Sequence, residues 1–133
     1  MDASLGARID ARKAAAGQIV LIVDDELLQR MTVADMLYDA GFWTVEASDA
    51  EQALLMLESR DDIRIVFLDV VMDHGMNGLE LAAIIRERWP RIDIVLTSGK
   101  MYAPEEVLPD RAVFIHKPYR SRDIVPVLHR MTS

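Results

Sequence analysis

Three aspartates, two hydroxyls and a lysine are the groups in this sequence best suited to chemistry. Asp24 and Asp25 stand together, with Glu26 behind them, and Asp69 follows a run of apolar residues. Thr97 and Ser98 close a second such run, and Lys117, followed by Pro118, closes a third. Any one of the aspartates is adequately explained as a helix cap, and Asp25 suits the amides of Leu27 and Leu28 in that role. Gathered at one place they require more. Two carboxylates ~4 Å apart repel by roughly 4 kcal/mol at an effective dielectric of about 20. A bound cation or the Lys117 ammonium must offset that repulsion, or a pKa must rise. The donors are all oxygens, which points to Mg2+ or a similar hard cation. His74, His116 and His129 share no ligand spacing and read as ordinary surface or strand-end residues.

Whether these groups meet depends on the elements between them. Short apolar runs at Ile19 to Val23, Trp43 to Ala47, Arg64 to Leu68, Ile92 to Thr97 and Ala112 to His116 read as strands. Longer amphipathic stretches separate them. Leu27 to Ala40 has Leu27, Met31, Ala34 and Tyr38 at helical spacing and is closed by Gly41. Ser48 and Glu51 form a capping box for a helix through Leu57, and Asn77 and Glu80 cap another that runs to Trp89 and stops at Pro90. The last helix carries Ile124, Leu128 and Met131 on one face and is predicted to begin near Asp123, with Pro126 in its first turn. Near-continuous apolar strands alternating with helices predict an α/β fold, a parallel sheet covered on both faces. Chemistry in such sheets gathers beyond the carboxyl ends of the strands, where all six residues fall.

Composition narrows the function further. A chain of 133 residues with 51% hydrophobic content buries the core of one domain. No run approaches the ~18 apolar residues of a membrane span. Without cysteine there is no disulfide framework, thiolate zinc site or thiol nucleophile. A formal net charge of −7 argues against binding duplex nucleic acid. The expectation is an acidic, cytoplasmic protein with neither nucleic-acid nor membrane partners. Residues 1–17, alanine-rich and mixed in charge, read as an extension that is frayed or partly helical, or as a docking or dimerising helix; residues 18–133 form the domain.

Asp24-Asp25, the lone Asp69, Ser98-Gly99 and Lys117-Pro118, in that order from Ile19 to about Met131, resemble the receiver domain of two-component response regulators. The resemblance implies a doubly wound, flavodoxin-like sheet of five parallel strands in the order 2-1-3-4-5. It implies that Asp69 accepts a phosphoryl group from a sensor histidine kinase or a histidine phosphotransfer protein. Asp25, Asp69 and the backbone carbonyl of Val71 would ligate Mg2+, with Asp24 holding the ion's waters. Lys117 would pair with Asp69 and then with a phosphoryl oxygen. Ser98 would bond another; Thr97 competes for that role, and the small Gly99 behind it favours Ser98. Phe114 matches the family's switch aromatic, although core packing explains it equally well. The Lys117-Pro118 bond is cis in the family, which would aim the lysine into the cleft.

Three features depart from the family pattern. Asp73 stands where a proline is usual, and Asp69 to Gly78 is one residue longer than usual, so His74-Gly75 is expected to bulge. Val71 cannot polarise an attacking water, which predicts slow self-dephosphorylation. Pro104 and Pro109 leave little room between Gly99 and Ala112, so the fourth helix is expected to be short or unformed and the loop mobile until phosphorylation or a partner orders it. With no output domain after the final helix, the expected protein is a stand-alone switch that docks on an unknown downstream protein or drains phosphate from its kinase. The first alternative is a receiver-like binding module that works without phosphorylation. A haloacid-dehalogenase-type phosphohydrolase would need an aspartate where Val71 stands, and a dinucleotide-binding domain a glycine-rich turn after the first strand.

Overall fold

Five consecutive β-branched and leucine side chains are too few for an independent helix, and Ile19–Val23 forms β1, buried at every residue. The computed structural model describes residues 19–72, 75–99 and 108–133. Within them β1 is followed by α1 (Leu27–Asp39), β2 (Trp43–Ala47), α2 (Ala50–Ser59), β3 (Ile63–Asp69), α3 (Gly78–Arg88), β4 (Asp93–Ser98), β5 (Ala112–His116) and α4 (Ser121–Thr132). All neighbouring strands are parallel, in the order β2-β1-β3-β4-β5. Strand order reverses between β1 and β3, so the carboxyl ends of these two strands flank the crevice where ligands of such sheets bind.

Alternation along the strands divides the core in two. Leu21, Val23, Val66, Leu68, Ile94 and Leu96 meet α2 and α3 through Ala53, Leu57, Leu81 and Ile85. Val20, Ile22, Ile65, Phe67 and Val95 meet α1 and α4 through Val33, Leu37, Ile124 and Leu128. A register slip against β3 between Ile19 and Val20 keeps Ile63 on the first of these faces.

Local readings of the sequence need three corrections. The core face of α1 is Val33 and Leu37, not the stripe of Leu27, Met31, Ala34 and Tyr38; Leu27, Leu28 and Met31 are exposed. The first half of α1 is apolar on several sides, so spacing alone does not phase it. The turn from β1 and the reversal at Gly41, where φ is +95°, set which side meets the sheet. The cap of α2 is Asp49, whose carboxylate accepts from the Gln52 amide at 2.7 Å, while the Ser48 amide donates to the Gln52 side chain at 2.6 Å. Asp49 caps as well as Ser48 would, and Gln52 answers one residue later than the expected Glu51. Helix α4 starts at Ser121, two residues early, because the Asp123 carboxylate accepts the Arg120 amide at 2.8 Å. Pro126 therefore lies inside the helix, exposed, and its missing N–H falls opposite the carbonyl of the exposed Arg122. The predicted extension of residues 1–17, Asp73 and His74 of the lengthened loop, and residues 100–107, where the fourth helix is expected short or unformed, lie outside the described residues.

Candidate functional site

The predicted groups assemble at the carboxyl edge of the sheet. Asp24 and Asp25 leave β1, Asp69 ends β3, Ser98 ends β4 and Lys117 leaves β5. Lys117 Nζ donates to Asp69 Oδ2 at 2.5 Å, across forty-eight residues of sequence. The other Asp69 oxygen accepts the Val71 amide at 3.0 Å, and the Lys117 amide donates to the Ser98 carbonyl at 2.9 Å. Asp24 Oδ1 accepts the Glu26 amide at 2.9 Å. Burial pushes the Asp24 carboxyl above the ordinary carboxylate range; the Asp69 and Asp25 charges add to the rise, against the Glu26 amide and Lys117. Among the described residues the Lys117 ammonium thus acts on both Asp69 and Asp24.

The remaining candidates fall around this centre. Thr97 and Ser98 are both buried; Thr97 Oγ1 lies 3.5 Å from the Leu68 carbonyl, the limit of a hydrogen bond, and so is turned toward β3 backbone. The Lys117-Pro118 peptide is cis. Phe114 is half-buried on the α2/α3 face and meets His116 edge-on, with ring centroids 4.8 Å apart. Val71 is exposed.

Four residues that the sequence reading passed over also build the site. A Cβ on Gly78 would overlap the Asp69 carbonyl oxygen and lie 2.7 Å from Val70 Cα, so glycine lets α3 start directly against the Asp69 backbone. Its amide bonds the Val70 carbonyl at 2.8 Å. A glycine just after the Asn77 cap was the available signal. Arg30 of α1 donates to the Asp24 carbonyl at 2.7 Å and pairs with Glu46 of β2 at 3.2 Å, fixing the backbone that presents the acidic pair. Gln29 and Tyr119 are joined by a hydrogen bond of 2.7 Å. No spacing rule links positions ninety residues apart.

The donor set suits a hard cation. Among the described residues no three acidic or histidine side chains close together as a metal shell. A cation beside Asp69 would instead draw on one or two carboxylates, backbone oxygen and water, the pattern Mg2+ accepts. The mutual repulsion felt at Asp24 is what such a charge would relieve.

Residues 20–129 match the response regulator receiver domain. The chain belongs to that family. Receiver domains are signalling modules of two-component systems and bind Mg2+ at the phosphorylation site. This receiver is 32% identical over 115 residues to the nitrogen assimilation regulatory protein NtrX of Azorhizobium caulinodans, covering 84% of this chain and 25% of that one. It is 31% identical over 124 residues to the transcriptional regulatory protein PdtaR of Mycobacterium tuberculosis, covering 90% and 59%. The solved receiver domain of NtrX from Brucella abortus superposes with a TM-score of 0.74 at 32% identity, covering 85% of this chain and 97% of that one. The chain thus spans about a quarter of the length of the first of these curated relatives. Among the described residues no helix is long and apolar enough to cross a membrane.

Proposed function

We propose that this receiver is a phosphorylation-dependent switch whose phosphoacceptor is Asp69, charged by a sensor histidine kinase or a histidine phosphotransfer protein. The observation that carries the reading is the Lys117–Asp69 contact beside Asp24 and Asp25. An Asp69 oxygen attacks phosphorus, the bond from phosphorus to the donor's imidazole nitrogen breaks, and that nitrogen keeps the electron pair. A carboxylate is a weak nucleophile, so the protein contributes positioning and charge. Asp25, Asp69 and the Val71 carbonyl would hold Mg2+, with Asp24 on its waters; the ion supplies positive charge to the phosphoryl oxygens. Lys117 passes from the carboxylate to a phosphoryl oxygen, and Ser98 bonds another, which conveys the new state toward Phe114 and β5.

Exposed Leu27, Leu28 and Met31 lie in the first turns of α1 after Asp25, and exposed Val71 lies two residues after Asp69. They offer the apolar docking area that a helical phosphodonor needs around its histidine. Output is by contact with a downstream protein or by draining phosphate from the kinase, in the cytoplasm.

Acetyl phosphate with Mg2+ tests the assignment by intact mass. The expected result is gain of one phosphoryl group, lost in Asp69→Ala and on chelation of the metal. Lack of any gain, with the fold intact, favours the binding module that works without phosphorylation; a gain that survives Asp69→Ala overturns the choice of residue.

A further inference from the structure

Lys117 reaches Asp69 on a flexible four-carbon stem, and a cation that must meet phosphoryl oxygens needs a fixed base. Two residues after it, Tyr119 is held from two sides. Its ring stands edge-on to Phe67, two residues before Asp69, with centroids 5.7 Å apart. Its hydroxyl accepts from Gln29 Nε2 at 2.7 Å, and Gln29 lies in the first turn of α1, four residues after Asp25. Burial pushes the phenol up to about 12, so it stays a neutral hydroxyl throughout the working pH range. Tyr119 therefore ties together the three segments that carry the acidic pair, the lone aspartate and the lysine. With Gln29, Lys117 and Pro118 it lines a cleft of about 430 Å³ between α1 and the β5–α4 turn.

We propose that Gln29 and Tyr119 are a pair of positioning residues that clasp the β5–α4 turn to α1 and thereby hold Lys117 over Asp69. The proposal rests on Asp69 being the phosphoacceptor. Neither residue touches the transferred group; the pair acts only through the lysine.

The whole chain is phosphorylated with acetyl phosphate over a series of Mg2+ concentrations, as wild type, Tyr119→Phe, Gln29→Leu and the double variant. Tyr119→Phe keeps the ring on Phe67 and so keeps the fold. Each single substitution is expected to lower the rate at saturating Mg2+ about fivefold, the worth of one net hydrogen bond. The double variant is expected to be no slower than the slower single, because one bond is lost only once. The Mg2+ concentration for half-maximal rate is expected to stay at the wild-type value. Unchanged rates, effects that multiply in the double variant, or a higher half-maximal Mg2+ (the mark of a loosened acid cluster) each overturn the clasp. A wild type that takes up no phosphoryl group overturns the Asp69 reading itself, a result distinguishable from an active wild type with equally active variants.

Discussion

Two buried carboxylates, one at the end of β3 and one at the start of β4, each meet a cation, and the two meetings differ in kind. Asp93 accepts both arms of the Arg111 guanidinium, at 2.9 and 3.3 Å. Beside it Arg86 spends its donors on the carbonyls of Asp110, Pro90 and Ile92. That edge of the sheet is balanced, fork against carboxylate and donors against carbonyls. Among the described residues Asp69 meets the Lys117 ammonium, and the charges of Asp69 and Asp25 both act on Asp24. The side chains of Asp93 and Asp69 are nearly equally buried, 9% and 10% exposed, so burial does not distinguish them. What differs is the charge around each one: Asp93 meets a guanidinium through two hydrogen bonds, whereas Asp69 meets an ammonium with the Asp24 carboxylate in electrostatic reach.

Exchanging the two neutralisations gives the largest contrast. Asp69→Asn is expected to abolish phosphoryl uptake from acetyl phosphate while leaving the thermal midpoint at or above the wild-type value. Asp93→Asn is expected to keep phosphoryl uptake and lower the midpoint. Intact mass and thermal melting of the two variants check this, and loss of uptake in both would erase the distinction.

Arg111 sharpens the comparison at the balanced edge. It sits at φ +60°, a strained conformation for a residue with a side chain, at the entry to β5. Arg111→Ala strands the Asp93 carboxylate and is expected to cost about 2 kcal/mol, below the full buried-pair value because the guanidinium is part-exposed. Arg111→Gly loses the same pair but relieves the backbone, so it is expected to be about 1 kcal/mol more stable than the alanine variant. Denaturant melts of the two variants read both numbers; equal stabilities would show that the backbone conformation carries no strain.

At the chemical edge the next effect is kinetic. Val71 is exposed two residues beyond Asp69, where a polar side chain could orient water for attack on the acyl phosphate. Val71→Asn is expected to shorten the lifetime of the phosphorylated form severalfold, on the order of 1 kcal/mol in barrier. Equal decay rates would remove the side chain from the dephosphorylation step.

The sequence made the strands and the acid-bearing positions legible because both follow short-range rules. Buried parallel strands are continuous apolar runs, and Asp24, Asp69, Ser98 and Lys117 lie at or one residue past their ends. The face of α1 was not legible: an apolar first half admits several phases, and only the turn geometry at either end selects Val33 and Leu37. Gly78 left only a faint mark, a glycine just behind the Asn77 cap, because its requirement arises from a helix start meeting the Asp69 backbone. The Gln29–Tyr119 bond and the Arg111–Asp93 fork join distant positions through the sheet register, which pattern reading does not supply.

The smallest effect separates Asp24 from Asp69 within the cluster itself. Burial and two neighbouring carboxylates raise the folded-state pKa of Asp24, so its charge opposes folding wherever it is ionised. That opposition is fully present above the folded pKa, fades as pH falls through it, and vanishes below the unfolded value, where both states are protonated. Asp24→Asn keeps an oxygen for the Glu26 amide and removes the charge. In metal-free buffer it is expected to raise the thermal midpoint by a few degrees at neutral pH, with the gain shrinking as pH falls into the carboxylate range. With Asp24 holding the waters of a bound ion, as proposed, Mg2+ is expected to reverse the order, because the ion would stabilise the wild type through the charge the variant lacks. A gain that persists unchanged into acid, or a variant stabilised by Mg2+ as strongly as the wild type, would show that the crowding of negative charge at this edge is not what sets Asp24 apart.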